Sequence, residues 1–170
     1  FEMSRNLVLG DIHGRASALE EVLEKCNFDR KKDTLIVLGD ICDGGRETKR
    51  CFEILETIQN KIIVVANHDT WALDWMLTGN ELPLWVHQGG YSTMESYGFD
   101  RTNVPDSHIE MLRQAHIYHI DSSNNLYVHG GLNPAVPTIS IREARSHLFD
   151  TEPARPPSSN IFNSIPSKLS

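Results

Sequence analysis

Four short polar motifs, each at the end of an apolar run, hold the groups in this chain that could do chemistry. Gly10-Asp11-Ile12-His13-Gly14 follows Leu7-Val8-Leu9. Gly39-Asp40, with Asp43-Gly44-Gly45 just after it, follows Thr34-Leu35-Ile36-Val37-Leu38. Asn67-His68-Asp69 follows Ile62-Ile63-Val64-Val65, and His129-Gly130-Gly131 follows Leu126-Tyr127-Val128. Residues two apart in extended chain point the same way, so Asp11 and His13 can grip one metal ion. A strand, then such a motif, then a helix puts these side chains at the carboxyl end of a strand, where open α/β sheets hold ligands. Alone, the first motif reads equally well as a polar turn with a capping Asp. Its repetition at four strand ends points instead to one rim carrying metal-type and acid/base groups.

Hydrophobic periodicity supplies the elements that must position this rim. Residues 5–9 read as a buried strand, and 15–26 as a helix with Ala18, Leu19, Val22, Leu23 and Cys26 on one apolar face. A second strand is expected at 34–38, a helix at about 46–59 burying Cys51, Phe52, Leu55 and Ile58, and a third strand at 61–65. Such β-α units in succession imply parallel strands with helices on the sheet faces. Residues 69–80 read as a helix whose Trp71 and Trp75 are core side chains rather than a stacking platform. A short helix is expected between Gly89 and Gly98, and another at 105–116 opened by Pro105-Asp106. Residues 117–120 and 126–128 flank a polar loop and read as a β-hairpin, where the chain changes from parallel to antiparallel. A short helix follows to about Phe149; residues 151–170, rich in Pro, Ser and Asn, read as a loop or disordered tail after a domain spanning 1–150.

Composition narrows the classes. At 170 residues, with 39% hydrophobic and 23% charged side chains, a single domain with a real core is expected. The net charge of −7 repels a phosphate backbone, so nucleic acid is not an expected partner. Cys26, Cys42 and Cys51 form no CxxC pair, which argues against a disulfide framework or zinc ribbon and for a reducing cytoplasm. No apolar run is long enough for a membrane span, and neither GxGxxG nor a P-loop is present.

In order and spacing, GDIHG, GDICDGG, NHD and HGG resemble the calcineurin-like metallophosphoesterases, most of all the phosphoprotein phosphatase branch with its bacterial and phage members. Trp85-Val86-His87-Gln88-Gly89-Gly90, followed by Thr93, Glu95, Ser96 and Tyr97, resembles the bacterial members too. The resemblance runs over about residues 5–133. It implies an α/β fold, a two-layer β-sandwich flanked by helices, and a metal-dependent phosphatase. Phosphoester hydrolysis needs a nucleophile near pH 7, neutralisation of phosphoryl charge and protonation of the leaving oxygen. Two ions about 3.5–4 Å apart meet the first two needs. By resemblance Asp40 bridges the two ions, Asp11 and His13 complete the first site, and Asn67 and His129 belong to the second. This donor set suits Mn²⁺ first, with Fe or Zn²⁺ as alternatives. His68 would give its proton to the leaving group while Asp43 holds the ring. His87, His108, His116 and His119 fall in none of the four strand-end motifs and read as structural or surface residues.

The chain departs from the family in places. Many relatives have Asp-Arg-Gly where Asp43-Gly44-Gly45 stands, so a phosphate-contacting arginine is absent; Arg46 is the nearest candidate for substrate binding. Ala66 takes the place of a glycine and asks for a less strained turn. After Gly131 no Gly-His supplying a last ligand is found, so the C-terminal part reads as incomplete or divergent, with His147 the sole candidate substitute. The expected substrates are phosphorylated proteins or small phosphoesters. Two alternatives stand beside a protein phosphatase: a dinucleoside tetraphosphate hydrolase, and a catalytically weak phosphate-binding regulatory module.

Overall fold

The computed structural model describes residues 4–131. Strands β1 (Asn6–Leu9), β2 (Thr34–Val37) and β3 (Asn60–Ile63) form a parallel sheet in that order. Helix α1 (Ala16–Lys25) crosses from β1 to β2, and α2 (Thr48–Glu56) from β2 to β3. Helical crossovers are what parallel neighbours require. All three strands therefore end on one side, and the loops that follow them lie next to each other.

Central β2 is buried on both faces: Leu35, Ile36 and Val37 are wholly inaccessible, which accounts for its unbroken apolar run. β1, expected to be buried, instead alternates between exposed and half-buried residues, and Val8 is 44% exposed. Among the described residues β1 pairs with β2 alone and so forms an edge. α1 buries Ala16, Leu19 and Leu23; Ala18, expected on that face, is exposed, because the helix is rotated by a fraction of a turn. α2 buries Cys51, Phe52 and Leu55 as expected, and Ile58 joins them just past its end.

Helix α3 (Asn67–Thr78) starts two residues earlier than its pattern suggested, so Asn67 and His68 are its first turn. It ends at Gly79, whose φ of 80° is the left-handed stop glycine tolerates. Trp75 is buried in the core and Trp71 half-buried. A single turn α4 (Pro83–Trp85) and a π-type turn (Val86–Gly90) precede α5 (Tyr91–Ser96). This helical segment begins six residues before Gly89, opened by Pro83 at its first position. A 3₁₀ turn (Arg101–Asn103) leads to α6 (Asp106–Arg113). The hairpin is present as the antiparallel pair β4 (His119–Ile120) and β5 (Leu126–Tyr127). Its loop is closed by Asp121, whose Oδ1 accepts from the amides of Ser123 and Asn125. Among the described residues this ladder is the whole of the second sheet. The helix expected up to Phe149 and the tail 151–170 lie outside the described residues. No helix among the described residues is long and apolar enough to cross a membrane.

Candidate active site

The loops after β1 and β2 are stitched together backbone to backbone. Ile12 N and His13 N both donate to Asp40 O, at 3.0 and 2.7 Å, and Gly14 N donates to Ile41 O at 2.9 Å. In return Gly45 N donates to His13 O and Glu47 N to Gly14 O. Glycine makes this approach feasible: a Cβ on Gly45 would lie 2.3 Å from Gly14 O, and one on Gly14 2.5 Å from Gly45 O. The interlock forces His13, Asp40 and Asp43 to positive φ values of 45°, 49° and 73°. Such backbone costs about 1–3 kcal/mol per residue and gathers where function demands a particular geometry. Ala66, by contrast, is extended at φ −117°, as a residue with a side chain prefers.

Below these loops lies Asp69, fully buried. Its Oδ1 accepts from Ile41 N at 2.8 Å and Cys42 N at 3.2 Å, tying the first turn of α3 to the chain just past Asp40. Burial pushes its carboxyl up to about 6; the amides pull it back, and the charge of Asp40 pushes it further up.

Ligand-type atoms of Asp11, His13 and Asp40 all lie within 4.8 Å of one another. His13 Nε2 is 3.6 Å from Asp40 Oδ2 and 4.0 Å from Asp11 Oδ2. Its Nδ1 lies 3.1 Å from Cys42 O. A carbonyl can only accept, so Nδ1 carries a proton and Nε2 is the ring nitrogen turned toward the carboxylates. His129 repeats the device: Nδ1 donates to Leu38 O at 2.8 Å, and Nε2 is 3.5 Å from Asp40 Oδ2. Asp40 is buried, and its Oδ1 has no hydrogen-bond partner. A buried carboxylate with one oxygen unpartnered and the other facing two imidazole nitrogens is costly by itself and fits a divalent cation. Asn67 is exposed at the start of α3, at the neighbouring strand end.

Beside this cluster, His68 Nδ1 is 2.7 Å from Asp43 Oδ2. The His68 ring stands edge-on to those of His13, at 5.3 Å, and Trp71, at 5.2 Å. Asp43 is wholly buried; Trp85 Nε1 also donates to its Oδ2, at 2.8 Å, and Thr93 Oγ1 donates to its Oδ1, at 2.7 Å. Burial pushes the Asp43 carboxyl up, and the hydrogen bonds from Thr93, His68 and Trp85 pull it back. Trp85 and Thr93 share one sequence motif, whose pattern alone gives neither of them a role.

Arg46 is 82% exposed on its side chain, with Nε 3.3 Å from Glu95 Oε2, so a carboxylate of α5 already engages the guanidinium expected to meet substrate. His147 lies outside the described residues. His108 is buried against Phe52 and hydrogen-bonded to Tyr97, a core histidine. His87 and His116 are exposed, and His116 and His119 join no cluster of three metal-type side chains among the described residues.

Residues 4–168 match the model of the calcineurin-like phosphoesterase family. Serine/threonine-protein phosphatase 2 of Salmonella typhimurium is 35% identical over 123 residues, covering 71% of this chain and 55% of that protein. The symmetrical bis(5'-nucleosyl)-tetraphosphatase of Coxiella burnetii is 27% identical over 135 residues, covering 75% of this chain and 42% of that one. The chain thus spans about half the length of these curated relatives. A serine/threonine phosphatase structure from Saccharomyces cerevisiae superposes with a TM-score of 0.53 at 18% identity, over 80% of this chain and 44% of its own. A crystal structure provisionally described as a diadenosine tetraphosphatase gives 0.59 at 21% identity, over 82% and 59%. At such identities the two structures speak for the fold, that of the metallophosphoesterases. The chain belongs to the calcineurin-like phosphoesterase family.

Proposed function

We propose that this chain carries the hydrolytic core of a metal-dependent phosphatase acting on phosphoserine or phosphothreonine in proteins. The observation in its favour is a juxtaposition: a carboxylate–imidazole cluster suited to cations stands beside a buried-carboxylate–histidine pair, with the His13 and His68 rings 5.3 Å apart. Asp11, His13 and Asp40 would hold one divalent ion, and Asp40, Asn67 and His129 a second. Such ions, when bound, supply a nucleophile from water near neutral pH and neutralise phosphoryl charge. Asp40, whose Oδ2 faces the Nε2 atoms of both His13 and His129, would serve both positions. His68 keeps Nδ1–H on Asp43 and presents Nε2 outward, so its imidazolium can protonate the leaving oxygen while Asp43 stabilises the charge. The oxygen and imidazole donors favour Mn²⁺, and the unpaired cysteines a reducing cytoplasm. Arg46, held by Glu95, has no part in this proposal.

Similarity to the tetraphosphatases favours a second reading, hydrolysis of dinucleoside tetraphosphates. A panel with added Mn²⁺ decides: a phosphoserine peptide, p-nitrophenyl phosphate and diadenosine tetraphosphate. Release of phosphate from the peptide supports the first reading, and turnover of diadenosine tetraphosphate alone the second. Failure on all three rejects both.

A further inference from the structure

Asp43 meets three side-chain partners, and two of these bonds have a direction set by chemistry. An indole N–H can only donate, so Trp85 Nε1 requires Asp43 Oδ2 to accept. The hydroxyl of Thr93 accepts from Asp43 N at 2.9 Å, leaving its single proton for Asp43 Oδ1 at 2.7 Å. Thr48 Oγ1, 3.2 Å from Thr93 Oγ1, must then be the donor in that pair. The polarity runs Thr48 to Thr93 to Asp43, and Trp85 to Asp43. With Asp43 ionised, every proton of this network points at the carboxylate. Against that ionised carboxylate, His68 Nδ1, bonded to the same Oδ2 as the indole, carries the proton of their bond, which leaves Nε2 for the substrate side.

The donors are held rigidly. Trp85 is fully buried, and Gly90 lies so close that a Cβ there would meet the indole ring at 2.3 Å. Thr93 is fully buried in α5. The turn between them touches the Asp43 loop directly, with Gly44 N donating to Gly89 O at 3.4 Å. The segment 85–93 is thus a clamp on Asp43, reaching it across 42 and 50 residues of sequence.

We infer that Trp85 and Thr93 are positioning residues for proton delivery by His68: together they hold Asp43 as an acceptor and so set the tautomer and direction of the imidazole. The inference rests on the phosphatase reading for its catalytic consequence but not for its geometry.

The test uses Trp85→Phe, which removes the indole N–H and keeps a ring, Thr93→Val, which removes the hydroxyl at equal shape, and Thr93→Ser, which keeps it. On a poor leaving group such as a phosphoserine peptide, kcat is expected to fall about 10–100-fold in Trp85→Phe and Thr93→Val. On p-nitrophenyl phosphate, whose leaving group needs little protonation, the fall should be several-fold smaller. Thr93→Ser should recover most of the loss. In a His68→Asn background the Trp85→Phe change should add nothing, because its effect passes through His68. Equal losses on both substrates, or full additivity with His68→Asn, would overturn the inference. Proton NMR reads it without turnover: the Nδ1 proton of His68 should give a downfield resonance in the parent chain and Thr93→Ser, weakened or lost in the other two variants. An unchanged resonance in those two would overturn the positioning role. A parent chain inert on every substrate but showing this NMR pattern would reject the phosphatase reading and leave the geometry standing.

Discussion

Replacing Asp69 by Asn should change how stability depends on pH, and the structure sets both sign and size. Burial raises this carboxyl from 3.8 to about 6 in the folded chain. The native state therefore holds the proton more tightly than the unfolded state does, and between about pH 4 and 6 folding favours the protonated form. Stability must fall as pH rises through that window and level off above it. A shift of about two units, at 1.36 kcal/mol each, makes the loss about 3 kcal/mol. Asn keeps the oxygen that accepts from Ile41 N and Cys42 N but cannot ionise. The assay is urea unfolding of parent and variant in EDTA at a series of pH values from 4 to 8. Groups such as Asp33 and Asp121, whose carboxyls are held near 2, act equally in both proteins and cancel in the difference. Any cost of the new amide group is independent of pH and moves only the offset. The variant should gain on the parent by about 2–3 kcal/mol between pH 4 and 7.5. A difference that stays flat across the series would show that Asp69 is not a strained buried acid.

His68→Asn should lower turnover of alkyl phosphoesters by ~10²–10⁴ while ion content persists, with a smaller loss on p-nitrophenyl phosphate; equal losses would remove His68 from proton delivery. Asp40→Asn should abolish activity and retention of ions after dialysis, since one carboxylate serves both positions; two ions per chain in that variant, measured by elemental analysis, would refute the bridging role. Gly45→Ala places a Cβ 2.3 Å from Gly14 O, so the two loops must part. Overpacking of this kind costs about 1–3 kcal/mol, and an unchanged urea midpoint would show that the interlock yields freely.

The convergence of Asp11, His13 and Asp40 was legible because each sits at a fixed short distance past an apolar run, and parallel strands joined by helices leave such ends side by side. The α2 face was legible for a similar reason: Cys51, Phe52 and Leu55 recur at helical spacing. The phase of α1 was not, since Ala16 and Ala18 are chemically identical and packing against the sheet alone chooses between them. Nor was the exposure of Val8, because strand order is not written in any local pattern. The roles of Trp85 and Thr93 stayed hidden because their contacts to Asp43 span the intervening helices. Arg46 was read by proximity in sequence, whereas Glu95, distant in sequence, sets its surroundings.

The hydrogen bond from His129 to the Leu38 carbonyl joins residues 91 apart. Protein synthesis delivers them at different times. Asp11, His13, Asp40, Asp43 and His68 all emerge before His129, which trails His68 by about 60 residues, a lag of about 3–12 s at 5–20 residues per second. During that lag Asp40 has His13 beside it but not His129. If the cluster holds an ion as proposed, one taken up during that lag would meet Asp11, His13 and Asp40 before the last imidazole can exert any preference.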